Sequence, residues 1–188
     1  MHETILPDAT SADASPEEVR RAFRDLHGPS LHGFALLLTL GDRRRALALT
    51  STTLAEADAP ATALRHPERA AAWLRARLTA AAGRRDSRID AQARLDALGP
   101  LGVMTSVLAG LAALDVLERA ALIGSEVERL DERDVATIVG RTGDRYDALL
   151  RRARHRYLEG SAAASNGPSE LGGPLTDLVR AAAARAMA

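Results

Sequence analysis

The stretch DERDVATIVGRTGDRYDALLRRARHRYLEG, residues 131–160, contains two helical patterns separated by a glycine-centred turn. Asp131 is placed to cap the first helix, and Gly140 can end it because glycine readily adopts a positive backbone angle. Thr142 is placed to cap the second helix. The apolar residues of the first helix are Val135, Ala136, Ile138 and Val139.

The second helix of this stretch has one apolar face and one basic face. Its inward residues are Tyr146, Leu149, Leu150, Ala153 and Tyr157. Its outward residues are Arg145, Asp147, Ala148, Arg151, Arg152, Arg154 and His155. Two helices joined by a short turn, the second basic on its open side, are typical of a helix-turn-helix, whose second helix enters the major groove of DNA. An ordinary helical hairpin with a solvated charged face fits the stretch equally well.

The composition of the whole chain limits what it can bind. All 25 basic charges are arginine and 25 acidic residues oppose them, so attraction for phosphate must come from local patches. The chain has no cysteine, which excludes disulfides and thiolate metal sites. No apolar run approaches the roughly 20 residues needed to cross a bilayer, and Met1–Ser15 does not resemble a signal peptide. We expect a soluble cytoplasmic protein that does not bind membranes.

The remaining pattern predicts an all-α fold, since alanine and leucine dominate and alternating β-branched stretches are missing. Ser15-Pro16-Glu17-Glu18 carries the signature of a capping box, and Val19, Ala22, Phe23 and Leu26 follow on one face. Gly28-Pro29 is expected to break this first helix. The predicted helices before the joint cover about 16–27, 31–40, 43–57 and 67–83, with a loop at 58–63 and the 31–40 helix buried at the centre.

Residues 84–110 carry the weakest pattern, with Gly99-Pro100 after a weak helical stretch at 89–98, and they are the expected joint between two domains. A second helical group runs from about 103 to 158. After Gly160 the composition predicts a flexible linker and then a short closing helix, Leu175–Met187. The predicted division is therefore 16–85, a linker at 86–108, 109–160, and a flexible C-terminal part at 161–188.

Four separated segments of the chain form one recognisable pattern: AFRDLHGPSLHGFALLLTLGDRRRA (22–46), LRHPERAAAWLRARL (64–78), LAALDVLERAALIGSEVERLDERDVATIVG (111–140) and RRARHRYLEG (151–160). Together they resemble the extracytoplasmic-function (ECF) class of bacterial RNA polymerase sigma factors. The first two are similar to the family's second conserved region, with Trp73-Leu74 at its Trp-Leu position. The last two are similar to its fourth region.

The resemblance implies two small helical domains that bind core RNA polymerase and promoter DNA, without a catalytic reaction or a cofactor. It implies DNA contacts at Arg75, Arg77, Arg84, Arg85, Arg145, Asp147, Ala148, Arg151, Arg152 and Arg154. It implies polymerase contacts at Leu47, Leu49, Thr50, Ser51 and Leu54. In such complexes arginines on phosphates position the protein and a few side chains on base edges specify the site.

The chain departs from the family pattern at several contact positions. Ala48, Ser51 and Leu54 stand where the family usually carries an acidic residue, a glutamine and an aromatic residue on its third helix. Two interpretations remain open. The protein is either a divergent, working sigma factor or a sigma-like regulator that binds a protein partner, such as an anti-sigma factor or polymerase, without initiating transcription.

An enzymatic function is not expected. His27 and His32 have no acidic companion at metal-ligand spacing, and the chain contains no glycine-rich phosphate loop, nucleophile elbow or paired catalytic carboxylates. Trp73 is expected to anchor the core of the first domain rather than to stack on bases. The closing helix at 175–187 could cover one of the two binding surfaces, because its apolar stripe belongs to a helix too short to be stable alone.

Overall fold

The computed structural model describes residues 15–57, 67–83 and 105–164. Every regular element in these ranges is helical, which confirms the predicted all-α class. The α-helices are α1 Pro16–Leu38, α2 Arg43–Ala57, α3 Pro67–Gly83, α4 Thr105–Ala112, α5 Val116–Leu122, α6 Glu132–Val139 and α7 Asp144–Ala164. One π-helical turn, Ile123–Val127, follows α5 directly. The predicted loop at 58–63, the weak helix at 89–98 and the closing helix at 175–187 lie outside the described residues.

The start of α1 has the capping box that the sequence predicts. The Ser15 hydroxyl accepts a hydrogen bond from the Glu18 backbone N–H at 3.2 Å, and a Glu18 carboxylate oxygen accepts one from the Ser15 backbone N–H at 2.7 Å. Pro16 occupies the first helical position, where its missing N–H costs nothing.

The predicted break at Gly28-Pro29 is wrong, because α1 continues through both residues to Leu38. A proline inside a helix removes one backbone hydrogen bond and costs about 3 kcal/mol. Burial of the helix after the proline offsets this cost, since each large apolar side chain removed from water contributes about 1.5–3 kcal/mol. The Ser30 hydroxyl also donates to the His27 carbonyl at 3.2 Å. The large apolar residues buried in this half are Leu31, Phe34, Leu36 and Leu38.

The apolar stripe predicted on the first half of α1 is only partly buried. Val19 and Phe23 are half-buried, whereas Ala22 is exposed and Leu26 is 62% exposed. The described residues therefore leave this end of α1 without a covering partner at Leu26. By contrast, the bounds predicted for α2 and α3 agree with the structure.

The buried apolar residues form a single cluster that reaches from Leu31 in α1 to Tyr157 in α7. Helix α3 packs against α6, and α4 packs along α7. The two predicted domains therefore share a core in the described part of the chain, and their separation is not confirmed.

A buried arginine joins the two halves of the fold. The Arg119 guanidinium in α5 donates to the Leu38 carbonyl at the end of α1 at 2.6 Å. It also donates to the carbonyls of Leu111 at 3.0 Å and Leu114 at 2.7 Å. Only 2% of Arg119 is exposed, so water cannot replace its guanidinium as the hydrogen-bond donor to these carbonyls.

The turn between α6 and α7 differs from the prediction in its caps. Gly140 ends α6 with φ +63°, as predicted. Asp131 precedes α6 but its side chain makes no capping hydrogen bond. Gly143, rather than Thr142, precedes α7, and its carbonyl accepts from the Tyr146 N–H at 2.8 Å.

Helix α7 continues to Ala164, so residues 161–164, predicted as the start of a linker, are helical. Gly160 allows the close packing of α7 on α4 that extends the helix. A Cβ at Gly160 would lie 2.7 Å from the Ala113 Cβ and 2.9 Å from the Ala109 carbonyl oxygen. Ser161 is fully buried beside this contact.

Replacement of Gly160 by alanine is expected to lower the free energy of unfolding by about 1–3 kcal/mol, because the added methyl group overpacks the α4–α7 contact. Gly28→Ala is the matched control, since a Cβ there meets the Leu54 side chain at an ordinary 3.8 Å. The control should stabilise the protein by about 0.5–1 kcal/mol through helix propensity alone. Urea unfolding of both variants measures the difference, and equal stabilisation of the two would contradict the packing described for α7.

Candidate nucleic-acid and polymerase interfaces

Helices α6 and α7 are joined by the short turn at residues 140–143 that the sequence predicts, and α7 presents one face to the core and one to solvent. The five residues predicted to point inward, Tyr146, Leu149, Leu150, Ala153 and Tyr157, are all buried. The seven predicted to point outward, Arg145, Asp147, Ala148, Arg151, Arg152, Arg154 and His155, are all exposed. Periodicity therefore predicted both faces of α7 correctly.

Several arginines of the outer face are held in ion pairs. Arg152 Nε and Arg156 Nη1 each lie 2.6 Å from a different carboxylate oxygen of Glu118 in α5. Glu118 is fully buried and also accepts from the Asp115 backbone N–H in a second capping box. Arg154 Nε donates to Glu126 at 2.9 Å. The partner of Arg152 is therefore a buried glutamate 34 residues away in sequence.

Two arginines of the outer face remain available. Arg145 and Arg151 are exposed, and neither forms an ion pair with any residue that the structure describes. Asp147 and Ala148 lie between them along α7 and are also exposed. This part of α7 therefore presents two guanidinium groups, neither of them in an ion pair with a described residue, and Asp147 and Ala148 lie between them in sequence.

Arg75 in α3 occupies a different environment from the one that its predicted role requires. Its guanidinium is buried and forms a bidentate ion pair with Glu128, at 2.7 Å from Nε and 2.9 Å from Nη2. The same group lies 5.7 Å from the centre of the Phe34 ring. Burial lowers the pKa of His27, and the charge of Arg75 lowers it further. A phosphate contact by Arg75 would require its pair with Glu128 to break.

The other arginines predicted to contact DNA from this half of the chain, Arg77, Arg84 and Arg85, are less constrained or fall outside the described residues. Arg77 is exposed and pairs with Glu56 of α2 at 2.7 Å. Its guanidinium also lies 5.9 Å from the centre of the Trp73 ring. Arg84 and Arg85 lie outside the described residues.

The outward face of α2 carries the candidate polymerase contacts. Leu47 is 60% exposed and Ser51 is exposed, whereas Leu49 and Leu54 are half-buried. Thr50 points into the protein, where its hydroxyl donates to the Ala46 carbonyl at 2.8 Å, so it is not available to a partner in this arrangement. Sequence reasoning missed that Ala48, Thr52 and Ala55 are exposed beside Leu47 and Ser51. The exposed residues of α2 between Arg44 and Glu56, which are themselves exposed, therefore carry no charge over about two turns.

A cavity of about 540 Å³ opens between α3 and α6. Trp73 forms part of its wall and is half-buried rather than fully enclosed in the core. Arg69 and Arg133 bring positive charge to the rim, and Asp131 and Asp134 bring negative charge. Its residues come from separate parts of the sequence, so no local motif indicated it. Among the described residues, no cluster of histidine and carboxylate side chains has the arrangement of a metal site.

Neither a family model, nor a curated protein, nor a solved structure matches this chain. None of the described helices combines the length and apolar character that a membrane crossing requires.

Proposed function

We propose that this protein is a sigma factor of the ECF type, which binds core RNA polymerase through α2 and directs it to promoter DNA through α7. The observation that carries the proposal is the helix-turn-helix of α6 and α7, whose second helix presents Arg145 and Arg151 on its open face. In this class of motif the second helix enters the major groove with the residues of its N-terminal part near the base edges.

The DNA contacts follow from the chemistry of the exposed residues in α7. Arg145 and Arg151 are suited to phosphate oxygens, because each guanidinium is free of ion pairs with described residues. Asp147 can accept a hydrogen bond from the amino group of cytosine, and the Ala148 methyl group can contact the methyl group of thymine. In this arrangement Arg145 and Arg151 position the protein on the phosphate backbone, and Asp147 and Ala148 contact the bases.

The polymerase contact follows from the uncharged face of α2. An exposed apolar surface in a protein with 27% charged residues is typical of a protein-binding site. Leu47 is the largest exposed apolar side chain on this face, so it is the expected centre of the interface.

Replacement of Leu47 by glutamate is expected to weaken binding to core polymerase by about 10- to 100-fold, since it removes about 1.5–3 kcal/mol of apolar burial. Leu158→Glu is the control, because Leu158 is an exposed leucine on α7, outside the proposed polymerase surface. Titration of the fluorescently labelled protein with core polymerase gives both dissociation constants. Equal affinities for Leu47→Glu and the parent would remove α2 from the proposed interface.

A second candidate is a sigma-like regulator that binds polymerase or an anti-sigma factor without initiating transcription. The observation that favours it is the number of predicted DNA-binding arginines already paired with carboxylates. Arg75 pairs with Glu128, Arg152 with Glu118 and Arg154 with Glu126. Polymerase binding without promoter-specific initiation would support this second function over the first.

A further inference from the structure

The connection between α5 and α6 has an irregular backbone at the point where it meets α3. The π-helical turn Ile123–Val127 ends in a hydrogen bond from the Glu128 N–H to the Ile123 carbonyl at 2.9 Å. The next residue, Arg129, has a backbone φ of +52°, which is unfavourable for any residue other than glycine because of its Cβ. Backbone strain is therefore present on the C-terminal side of Glu128, directly after the π-turn.

The ion pair between Glu128 and Arg75 lies directly beside this strained backbone. Both carboxylate oxygens of Glu128 are used, and the side chains are only 18% and 6% exposed. Arg75 is itself fixed by a hydrogen bond from Nη1 to the Ala71 carbonyl at 3.1 Å. The pair therefore ties the irregular connection to α3, at the same place where α3 packs against α6.

We propose that the Arg75–Glu128 ion pair is a latch that holds the helix-turn-helix closed against α3, with the π-turn Ile123–Val127 as its hinge. Opening the latch allows the π-turn to return to α-helical register, turns α6 away from α3 and releases the Arg75 guanidinium. The proposal rests on the proposed function only for its consequence, which is that the open form binds nucleic acid more tightly.

In the proposed opening, the change from π-helical to α-helical register separates the two members of the ion pair. One residue of register corresponds to a rotation of about 100° and a rise of about 1.5 Å along the helix. Such a change carries the Glu128 carboxylate away from Arg75. The Arg75–Glu128 ion pair and the strained backbone therefore both belong to the closed state.

The competitor that opens the latch is a phosphate group of the nucleic-acid backbone. A guanidinium that binds a carboxylate through two parallel hydrogen bonds binds a phosphate in the same way. A ligand can shift this equilibrium only through its higher affinity for the open form, and the exposed Arg75 supplies that difference.

The test uses distances between spin labels on the full chain. The chain has no cysteine, so Ala80→Cys in α3 and Glu132→Cys in α6, both at exposed positions, give two unique labelling sites on the two helices that separate. The parent should show one short distance. Glu128→Gln should add a population longer by more than about 5 Å, one helical turn. The control is Glu56→Gln, which weakens the exposed Arg77–Glu56 pair on the same helix and should leave the distance unchanged.

A short DNA duplex added to the labelled parent should increase the longer population, and Glu128→Gln should bind this duplex at least about tenfold more tightly by the latch argument. An unchanged distance distribution in folded Glu128→Gln would overturn the proposal. If Glu128→Gln does not fold, Arg75→Lys decides, because lysine keeps the charge but loses the two-point contact. A single parental distance in folded Arg75→Lys would then overturn the latch.

The outcomes also separate the latch from the proposed function. A longer distance in Glu128→Gln, without any binding of duplex or polymerase by parent or variant, would retain the latch and contradict the sigma-factor function. A single parental distance in a parent that does bind duplex and polymerase would retain the function and contradict the latch.

Discussion

Replacement of Arg119 by methionine is expected to lower the free energy of unfolding by about 3 kcal/mol or more, the largest effect on stability among the substitutions considered. The substitution leaves the Leu38 and Leu114 carbonyls without the guanidinium that donates to them, whereas the Leu111 carbonyl keeps the hydrogen bond from the Leu114 N–H at 3.3 Å. Each buried acceptor left without a donor costs about 1–3 kcal/mol. Since small domains have stabilities of only about 5–15 kcal/mol, the variant should be close to its unfolding threshold at moderate temperature.

Urea unfolding followed by circular dichroism measures this change. Arg151→Met is the matched control, because Arg151 is exposed and makes no ion pair with described residues, so its loss should change stability by less than about 0.5 kcal/mol. Arg119→Lys should fall between the two variants, since a single ammonium group cannot reach three separated carbonyls as a planar guanidinium does. An Arg119→Met variant as stable as the control would show that Arg119 does not join α1 to α5 in solution.

Removal of both free arginines of α7, in Arg145→Ala/Arg151→Ala, is expected to produce the largest loss of DNA affinity. Each lost phosphate contact should reduce the slope of log K against log salt by about 0.9. Two lost charge-assisted contacts amount to about 3 kcal/mol, or roughly a 100-fold weaker complex at low salt. Fluorescence anisotropy of a labelled duplex, repeated over a range of salt concentrations, gives both quantities.

The control for this experiment is Arg21→Ala, which removes an exposed arginine of α1 far from the helix-turn-helix in sequence. Its salt slope should equal that of the parent. Arg152→Ala should have a smaller effect than the double variant, because Arg152 is already paired with Glu118. A double variant with the parental slope would exclude the outer face of α7 as the DNA-binding surface.

The helices that could be predicted from the sequence are those with local start and end signals. The capping box at Ser15, the proline that opens α3 and the left-handed Gly140 that ends α6 are local, and the corresponding boundaries agree with the structure. The helix break predicted at Pro29 is wrong because burial of the residues that follow outweighs the local cost of a proline inside a helix. The predicted end of α7 at residue 160 is wrong for the same reason, since packing on α4 fixes Gly160 and Ser161 in the helix.

The candidate site was likewise predictable where it depends on local sequence and not where it depends on distant residues. Helical periodicity predicted which side chains of α7 face outward, because that property depends only on spacing along one helix. It could not predict the partners of Arg75 and Arg152, which lie 53 and 34 residues away in sequence. The π-turn and the positive φ of Arg129 have no simple sequence signal, so the proposed latch became visible only in the folded chain.

The most direct test of the central claim is a reconstituted transcription assay with the purified protein, core RNA polymerase and a library of promoter sequences. The proposed function predicts initiation at one class of sequences, and it predicts that Arg145→Ala/Arg151→Ala loses this initiation while retaining polymerase binding. Failure to bind polymerase would contradict the assignment as a sigma-like protein. Binding without initiation at any sequence in the library would contradict its function as a sigma factor and support the regulator instead.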